Sequence, residues 1–379
     1  MKIAILGTRG IPNHYGGFEQ ITEYLSRGLS KKGHQISVYN SHNHPYQENN
    51  WNGVDIIHCY DPEYRLKTFG QFIYDFNCIR DAQKRDFDVI IFMGYTSSSI
   101  WRNYFPKQSI VISNMDGLEW KRQKYSKAVQ WFLKYAEKLA VKYSHFHIAD
   151  SIVIRDYLNE KYKIQAQYIP YGATLTRKEK ENVLIKFKLI KFEYYLLMAR
   201  MEPENNIDMI LEGFSTTASK RKFVVIGNYA NSYGKSLVRK YAHDTRIMFI
   251  GALFDQDFVH TLRKNSLLYF HGHSVGGTNP SLLEAMASKT LIAAHLNPFN
   301  QSILKENAFY FSSSSEVKKL INRSISKRNI DRITENNLSS IKEEFNWEIV
   351  VDSYDQYINY CYQLAKNEKT ILHRRYAFE

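Results

Sequence analysis

GGTNPSLLEAMAS, running from Gly276 to Ser288, follows the apolar run Leu267-Leu268-Tyr269-Phe270 and the trio His271-Gly272-His273. The apolar run has the length and composition of a buried strand. Two glycines come next, then Asn279 as a capping side chain and Pro280 as a first helical residue, so the spacing predicts a helix over residues 281–288. A strand that turns through glycines into a capped helix gathers backbone N–H groups at the positive end of a helix dipole, a seat for phosphate. Glu284 lies one turn into that helix among Leu282, Leu283, Ala285 and Met286. A carboxylate in such company faces either a cleft or a fixed donor. Two readings stand: a phosphate seat whose Glu284 accepts ligand hydroxyls, or an ordinary strand–turn–helix whose Glu284 is satisfied within the fold.

Outward from this stretch, strand-like runs alternate with helical patterns, the signature of parallel α/β sheets. The first half predicts strands at 2–6, 35–39, 54–58, 89–93, 109–113 and 146–149, with a helix over 18–32. A second series lies at 194–199, 222–226, 247–250, 266–270 and 291–294. Between them residues 174–192 are rich in Lys and Glu and lack an apolar period, as a linker would. The expected division is therefore an N-terminal domain over 1–173, the linker 174–192, a C-terminal domain over 193–345 and a tail helix within 346–379. Doubly wound sheets bind ligands at the carboxyl ends of their strands, which directs attention to the loops 7–19, 200–207 and 276–284 and predicts a cleft between the domains.

At 379 residues the chain is long enough for about two domains. Its 44% hydrophobic and 23% charged content exclude a disordered chain. No stretch reaches the roughly 18 apolar residues of a membrane span, and the apolar run of MKIAILGTRG is too short for a signal peptide. Cys59, Cys78 and Cys361 have no metal or redox spacing, which suits a reducing cytosol.

The net charge of +13 calls for anionic partners. Seven Lys or Arg between 121 and 143 face one acid, Glu137. Val129, Phe132, Ala136, Leu139 and Tyr143 recur there at helical spacing, with Trp131 and Tyr135 extending the apolar side. A basic amphipathic helix of this kind either lies on an anionic membrane surface or packs on the core with a solvated charged back.

The first loop, GTRGIPNHYGGFEQ, does not fit the dinucleotide fingerprint, because Gly7 and Gly10 are followed by Ile11-Pro12. Gly16-Gly17 immediately precede a helix instead. The combination of GTRGIPNHYGGFE, NMDGLEWKRQKY, YLLMARMEPENNI and HGHSVGGTNPSLLEAMA resembles the retaining nucleotide-sugar glycosyltransferases of GT-B fold. More narrowly it resembles the bacterial polysaccharide rhamnosyltransferase branch of family four, over essentially the whole chain. The resemblance implies two Rossmann-like domains facing a central cleft. It places Gly16 and Gly17 beside the donor diphosphate, Arg200 on that diphosphate as it leaves, and Glu284 on the ribose hydroxyls. It places the backbone of Gly277, Thr278 and Asn279 on phosphate oxygens, and that of Gly251 and Ala252 on the base edge. The tail helix from Trp347 would brace the first domain.

Two positions depart from the wider family. Asn205 stands where a lysine is usual, five residues after the arginine, and Gly276 where an acid is usual, eight before the glutamate. With the lysine gone, Arg200 and the helix dipole carry more of the leaving-group charge. The missing acid removes a contact to donor-sugar hydroxyls, a loss that a deoxysugar tolerates. Asp116 stands where the family often has a site histidine, and Glu119 follows one turn later. Either can orient the acceptor hydroxyl, or Asp116 can simply make the Asn114-Met115-Asp116-Gly117 turn. Histidines 271 and 273 would lie near the donor, and no Cys or acid completes a metal set.

The resulting expectation is a metal-free and cofactor-free rhamnosyltransferase, cytoplasmic and peripheral on the inner membrane face. It would move L-rhamnose from dTDP-L-rhamnose to a lipid-linked glycan. The alternatives are a UDP-hexose donor, a sugar-nucleotide epimerase, and a basic nucleic-acid-binding protein. The last leaves the diphosphate-type turns unexplained.

Overall fold

The computed structural model describes residues 1–367 except 15, 116, 123, 124, 176 and 181. The chain divides into two compact units. The first contains Met1–Trp120, Lys127–Tyr171 and the helix Trp347–Asn367; the second contains Lys121–Ser126 and Gly172–Asn346.

In the first unit eight strands form one sheet: β1 (Lys2–Leu6), β2 (Gln35–Ser41), β3 (Asn50–Trp51), β4 (Val54–Cys59), β5 (Val89–Met93), β6 (Ile110–Asn114), β7 (Phe146–Ala149) and β8 (Gln167–Tyr168). Their spatial order is β3-β4-β2-β1-β5-β6-β7-β8, parallel except for the β3–β4 pair. Ile3 to Leu6 are all buried, and successive side chains point to opposite faces, so both faces of the sheet are covered. One face packs Ala4, Leu6, Ile90 and Phe92 against Tyr74, Cys78 and Ile79 of the helix Thr68–Ala82. The helix Trp347–Asn367 packs on Gly17–Lys31, stacking Trp347 on Tyr24 and seating Val351 where Gly28 has no side chain.

Six strands build the sheet of the second unit: β9 (Tyr194–Met198), β10 (Lys222–Ile226), β11 (Ile247–Gly251), β12 (Leu268–His271), β13 (Ile292–His295) and β14 (Phe309–Phe311). All pairs are parallel, in the order β11-β10-β9-β12-β13-β14. Tyr195, Leu197, Phe223, Val225 and Phe270 pack on Ile207, Ile210 and Phe214 of the helix Ile207–Ser215.

Both sheets are doubly wound, as expected from the sequence. In each, the chain steps from the central strand to one side and later returns to the other, so β1/β5 and β9/β12 are the topological switch points. Gly7 ends β1 at a φ of +88°, and a Cβ there would lie 2.6 Å from the Met93 carbonyl at the end of β5. Only glycine allows that close crossing.

Two sequence expectations change. The stretch 174–192 is not featureless, because the short helix Asn182–Lys186 buries Val183 and Leu184. The basic helix begins at Lys127 and runs to Tyr143, while Lys121–Ser126 group with the second unit. Its buried side is Leu133, Ala136, Glu137, Leu139 and Ala140, whereas Val129, Trp131 and Tyr135 point outward. The helix thus turns its one acid inward and two of its largest aromatics to solvent.

Candidate active site

The β9/β12 switch point is assembled from three loops of the second unit. Asn279 caps the helix Pro280–Ala287, its Oδ1 accepting from Ser281 N–H at 2.9 Å. Ahead of it Gly276 holds a φ of +132°, a conformation that L side chains rarely adopt. The absence of an acid at this position is therefore matched by the backbone. Thr278 is buried; Gly277 and Asn279 are partly exposed.

Glu284 proves to have a fixed donor. Arg263, almost fully buried, donates from Nη1 to Glu284 Oε2 at 2.6 Å and from Nη2 to the Ser281 hydroxyl at 3.0 Å. Tyr269 of β12 shares that hydroxyl at 3.0 Å. Arg263 comes from the helix Gln256–Lys264, and nothing in HTLRKN marks it in the sequence.

Arg200 is exposed just beyond β9, and its loop is tied down from below. Buried Asn205 donates its Nδ2 to the Arg200 carbonyl at 2.7 Å, so this side chain shapes the loop. Ser274 donates both its N–H and its hydroxyl to the Glu204 carbonyl, at 3.1 and 2.7 Å. Asn206 donates to the Gly272 carbonyl at 2.8 Å. A Cβ on Gly272 would lie 2.0 Å from the Asn205 carbonyl oxygen. The arginine loop and the loop before the phosphate-type turn are thus stitched into one surface.

Two further groups belong to this surface. The rings of His271 and His273 stack with centroids 4.4 Å apart, and the His273 carbonyl is braced by Asn297 and Asn300 at 3.0 Å each. Burial lowers both imidazoles, His273 to about 3 with Arg200 and Arg122 adding to the effect. His271 is fully buried, with no hydrogen-bond partner for either ring nitrogen among the described residues. Arg122, read from the sequence as part of the basic helix, instead pairs with buried Glu204 at 3.3 Å. Its neighbourhood to His273 has no signature in the sequence.

At β11, the Gly251 carbonyl accepts from Gly227 N–H at 3.0 Å, and Ala252 is exposed.

In the first unit, Gly16 caps the helix Gly17–Lys31 with no side chain of its own. Buried Glu19 accepts from Arg9 N–H at 2.9 Å, and Asn40 clamps Ile11 through its N–H and carbonyl at 3.0 and 2.8 Å. Asp75 of the helix Thr68–Ala82 is buried and accepts from the Ser97 hydroxyl at 2.5 Å; burial raises its carboxyl to about 7. Asp116 lies outside the described residues. Of the residues on either side, Met115 donates its N–H to the Ile148 carbonyl and the Gly117 carbonyl accepts from the Tyr95 hydroxyl. Glu119 opens the single turn Glu119–Lys121 and is partly exposed. Among the described residues, no three His, Cys, Asp or Glu side chains gather to hold a metal.

Comparison with known families gives this architecture a place. Residues 180–341 match the family profile of glycosyl transferases group 1. That match lies within the second unit. Residues 1–174 match a domain of unknown function, DUF1972. No curated protein matches the chain significantly in sequence.

Solved structures share the fold over nearly the whole chain. Sucrose-phosphate synthase from Thermosynechococcus elongatus superposes with a TM-score of 0.80 at 17% identity, covering 96% of this chain and 99% of that one. HepE from Anabaena, in complex with UDP and glucose, gives 0.73 at 14%, covering 95% and 99%. An E. coli structure described as trehalose-6-phosphate bound with UDP-2-fluoro glucose gives 0.71 at 10%, covering 96% and 99%. These are GT-B structures, and the two Rossmann-like units have that architecture.

Proposed function

We propose that the chain is a retaining glycosyltransferase that moves L-rhamnose from dTDP-L-rhamnose to a lipid-linked glycan in bacterial surface polysaccharide synthesis. One observation carries the reading: Arg200 and the Glu284 helix flank the same switch point of a glycosyl transferases group 1 domain. A cation and a capped helix start at one strand-end surface suit a diphosphate.

In this reading the N–H groups of Gly277, Thr278 and Asn279 and the Arg200 guanidinium take the diphosphate, with Gly16 and Gly17 giving close backbone approach to it. Glu284, oriented by Arg263, accepts the ribose hydroxyls, and the backbone at Gly251 and Ala252 meets the base. Asn205 positions Arg200. Asp116 or Glu119 orients the acceptor hydroxyl. That oxygen bonds to the anomeric carbon on the face the diphosphate leaves, the carbon–oxygen bond to phosphate breaks, and the hydroxyl proton passes to the departing phosphate. No metal or cofactor enters the scheme. Concentrating positive charge where the leaving group gains negative charge is the main source of rate.

The deoxysugar rests on Gly276, where no acid can meet sugar hydroxyls, and on the branch resemblance. A UDP-hexose is the second reading, favoured by the UDP and UDP-glucose named for the HepE structures. The acceptor reading, and with it a place on the inner membrane face, rests on the basic helix Lys127–Tyr143. Among the described residues no helix is long and apolar enough to cross a membrane.

The test supplies dTDP-L-rhamnose, UDP-glucose and UDP-galactose separately with a lipid-linked acceptor and reads the anomeric carbon–proton coupling of the product. A β-L-rhamnoside is expected. Transfer only from a UDP-hexose would overturn the donor, and an α-L-rhamnoside the stereochemistry.

A further inference from the structure

The outward face of the helix Lys127–Tyr143 carries Lys127, Trp131, Lys134, Tyr135 and Lys138, which recur at helical spacing. Trp131 is 70% exposed and stacks on Tyr135. A second element of the same unit presents aromatics beside it. The short helix Glu63–Leu66 meets the helix Thr68–Ala82 at Lys67, whose φ is +51°. Every residue from 64 to 69, YRLKTF, is exposed, Phe69 by 68%.

This corner is built. Lys67 N–H bonds the Glu63 carbonyl at 2.7 Å, Gly70 N–H bonds the Lys67 carbonyl at 2.8 Å, and a Cβ on Gly70 would lie 2.4 Å from the Glu63 backbone. These contacts close the turn on which Leu66 and Phe69 stand exposed. An aromatic seam joins it to the basic helix: Phe69 to Phe72 at 5.9 Å, and Phe72 to Phe132 at 5.7 Å between ring centroids.

The charges around this face have one sign. Arg65, Lys67, Lys127, Lys134 and Lys138 are exposed on it. The acids of the same elements are engaged elsewhere. Glu63 is held by Arg9, with oxygens at 2.6 and 3.0 Å, and Asp75 is buried. Glu137 is buried and accepts from Trp120, Tyr157, Lys161 and Tyr162. Cations interleaved with exposed aromatics match an anionic bilayer boundary, where rings enter the acyl edge and ammonium groups meet headgroups.

We propose that the 64–69 corner and the outer face of the helix Lys127–Tyr143 form one surface that docks on an anionic lipid leaflet. Leu66, Phe69 and Trp131 enter the leaflet, and the lysines hold its headgroups. The inference rests on the membrane reading of the basic helix and adds a second, apolar anchor to it.

The test is sedimentation of the full chain with vesicles of phosphatidylcholine alone, or of phosphatidylcholine and phosphatidylglycerol in equal parts, over a range of salt. Two variants are compared, Leu66→Ala/Phe69→Ala and Lys127→Gln/Lys134→Gln/Lys138→Gln, both at exposed positions, with far-ultraviolet circular dichroism as a check on folding. The wild type should bind only the anionic vesicles. The apolar variant should lose about tenfold or more in affinity at every salt concentration, and the lysine variant should lose most at low salt. Wild-type binding by the apolar variant, with loss in the lysine variant, would overturn the corner's role and leave the basic helix as the only contact. No binding by the wild type would overturn both readings. Equal binding to duplex DNA, lost in the same variants, would replace the lipid with nucleic acid.

Discussion

Arg263 and Glu284 form a 2.6 Å ion pair at the switch point of the second sheet, with the arginine only 4% exposed. The sequence leaves open whether Glu284 faces a ligand or a partner; the pair shows that it has a partner. The same bond orients the carboxylate, so the pairing and the proposed ribose contact are compatible. Removing one member of a buried pair strands the other, at about 3–5 kcal/mol, whereas replacing both with apolar groups is often neutral. Arg263→Met is therefore expected to lower the midpoint of thermal unfolding by several degrees, and Arg263→Met/Glu284→Leu to recover most of it. Both should lose transfer, the double variant while well folded. Calorimetry beside a transfer assay separates the two effects.

Arg200 has the opposite character. It is exposed, so Arg200→Ala should unfold at the wild-type temperature. Loss of a charge-assisted contact to a leaving group is worth a hundredfold or more in rate, roughly 3 kcal/mol. Turnover of dTDP-L-rhamnose at the wild-type rate would remove Arg200 from the mechanism.

The stitching of the two loops is tested at Gly272. Its Cβ would lie 2.0 Å from the Asn205 carbonyl oxygen, part of the backbone, so Gly272→Ala must push the loops apart. The variant is expected to lose both stability and transfer, with overpacking costing about 1–3 kcal/mol. Asn205→Lys, which restores the residue usual in the wider family, removes the bond to the Arg200 carbonyl from a buried site. It should lower transfer too, as single-turnover kinetics would show.

The stacked histidines give a pH signature. Both imidazoles are held below the ordinary range in the folded protein, His273 at about 3. The unfolded chain takes up these protons near pH 6.5, so acid favours unfolding. Their stability contribution is complete above about pH 6.5 and falls as pH drops toward the folded values, by up to about 1.4 kcal/mol per pH unit for each ring. Unfolding midpoints between pH 7 and pH 5 should fall less steeply in His271→Phe/His273→Asn than in the wild type. Equal slopes would contradict the assignment.

Much of the fold is legible in the sequence because parallel strands buried on both faces read as continuous apolar runs. The runs at 2–6, 89–93 and 222–226 coincide with β1, β5 and β10. The short β3 is absent from that reading, although its signal is present. Asn52-Gly53 takes positive φ at both residues, as a two-residue hairpin turn requires. Trp131 and Tyr135 mislead for a different reason: periodicity finds a helix face, but on a helix with apolar residues all round it does not say which face is buried. The capped turn at Asn279 is local chemistry and stands in the sequence. Arg263 and Arg122 do not, since each acquires its role from a partner far along the chain, Glu284 of the capped helix and Glu204 beyond β9. Asn205 stands out as a departure, but its bond to the Arg200 carbonyl within its own loop does not. Glu137 carries a partial signal as the one acid in a basic helix.

In the proposed function the second unit binds a nucleotide sugar through Arg200 and Glu284. Thermal unfolding of the wild type, Arg200→Ala and Glu284→Ala with dTDP-L-rhamnose, UDP-glucose or UDP-galactose tests it most directly. A ligand at about 100 times its dissociation constant stabilises by roughly 2.7 kcal/mol, a shift that such scans resolve. The wild type should be stabilised, most by dTDP-L-rhamnose, and both variants should lose that stabilisation. No stabilisation by any of the three sugars, or equal stabilisation of all three proteins, would contradict the proposed binding.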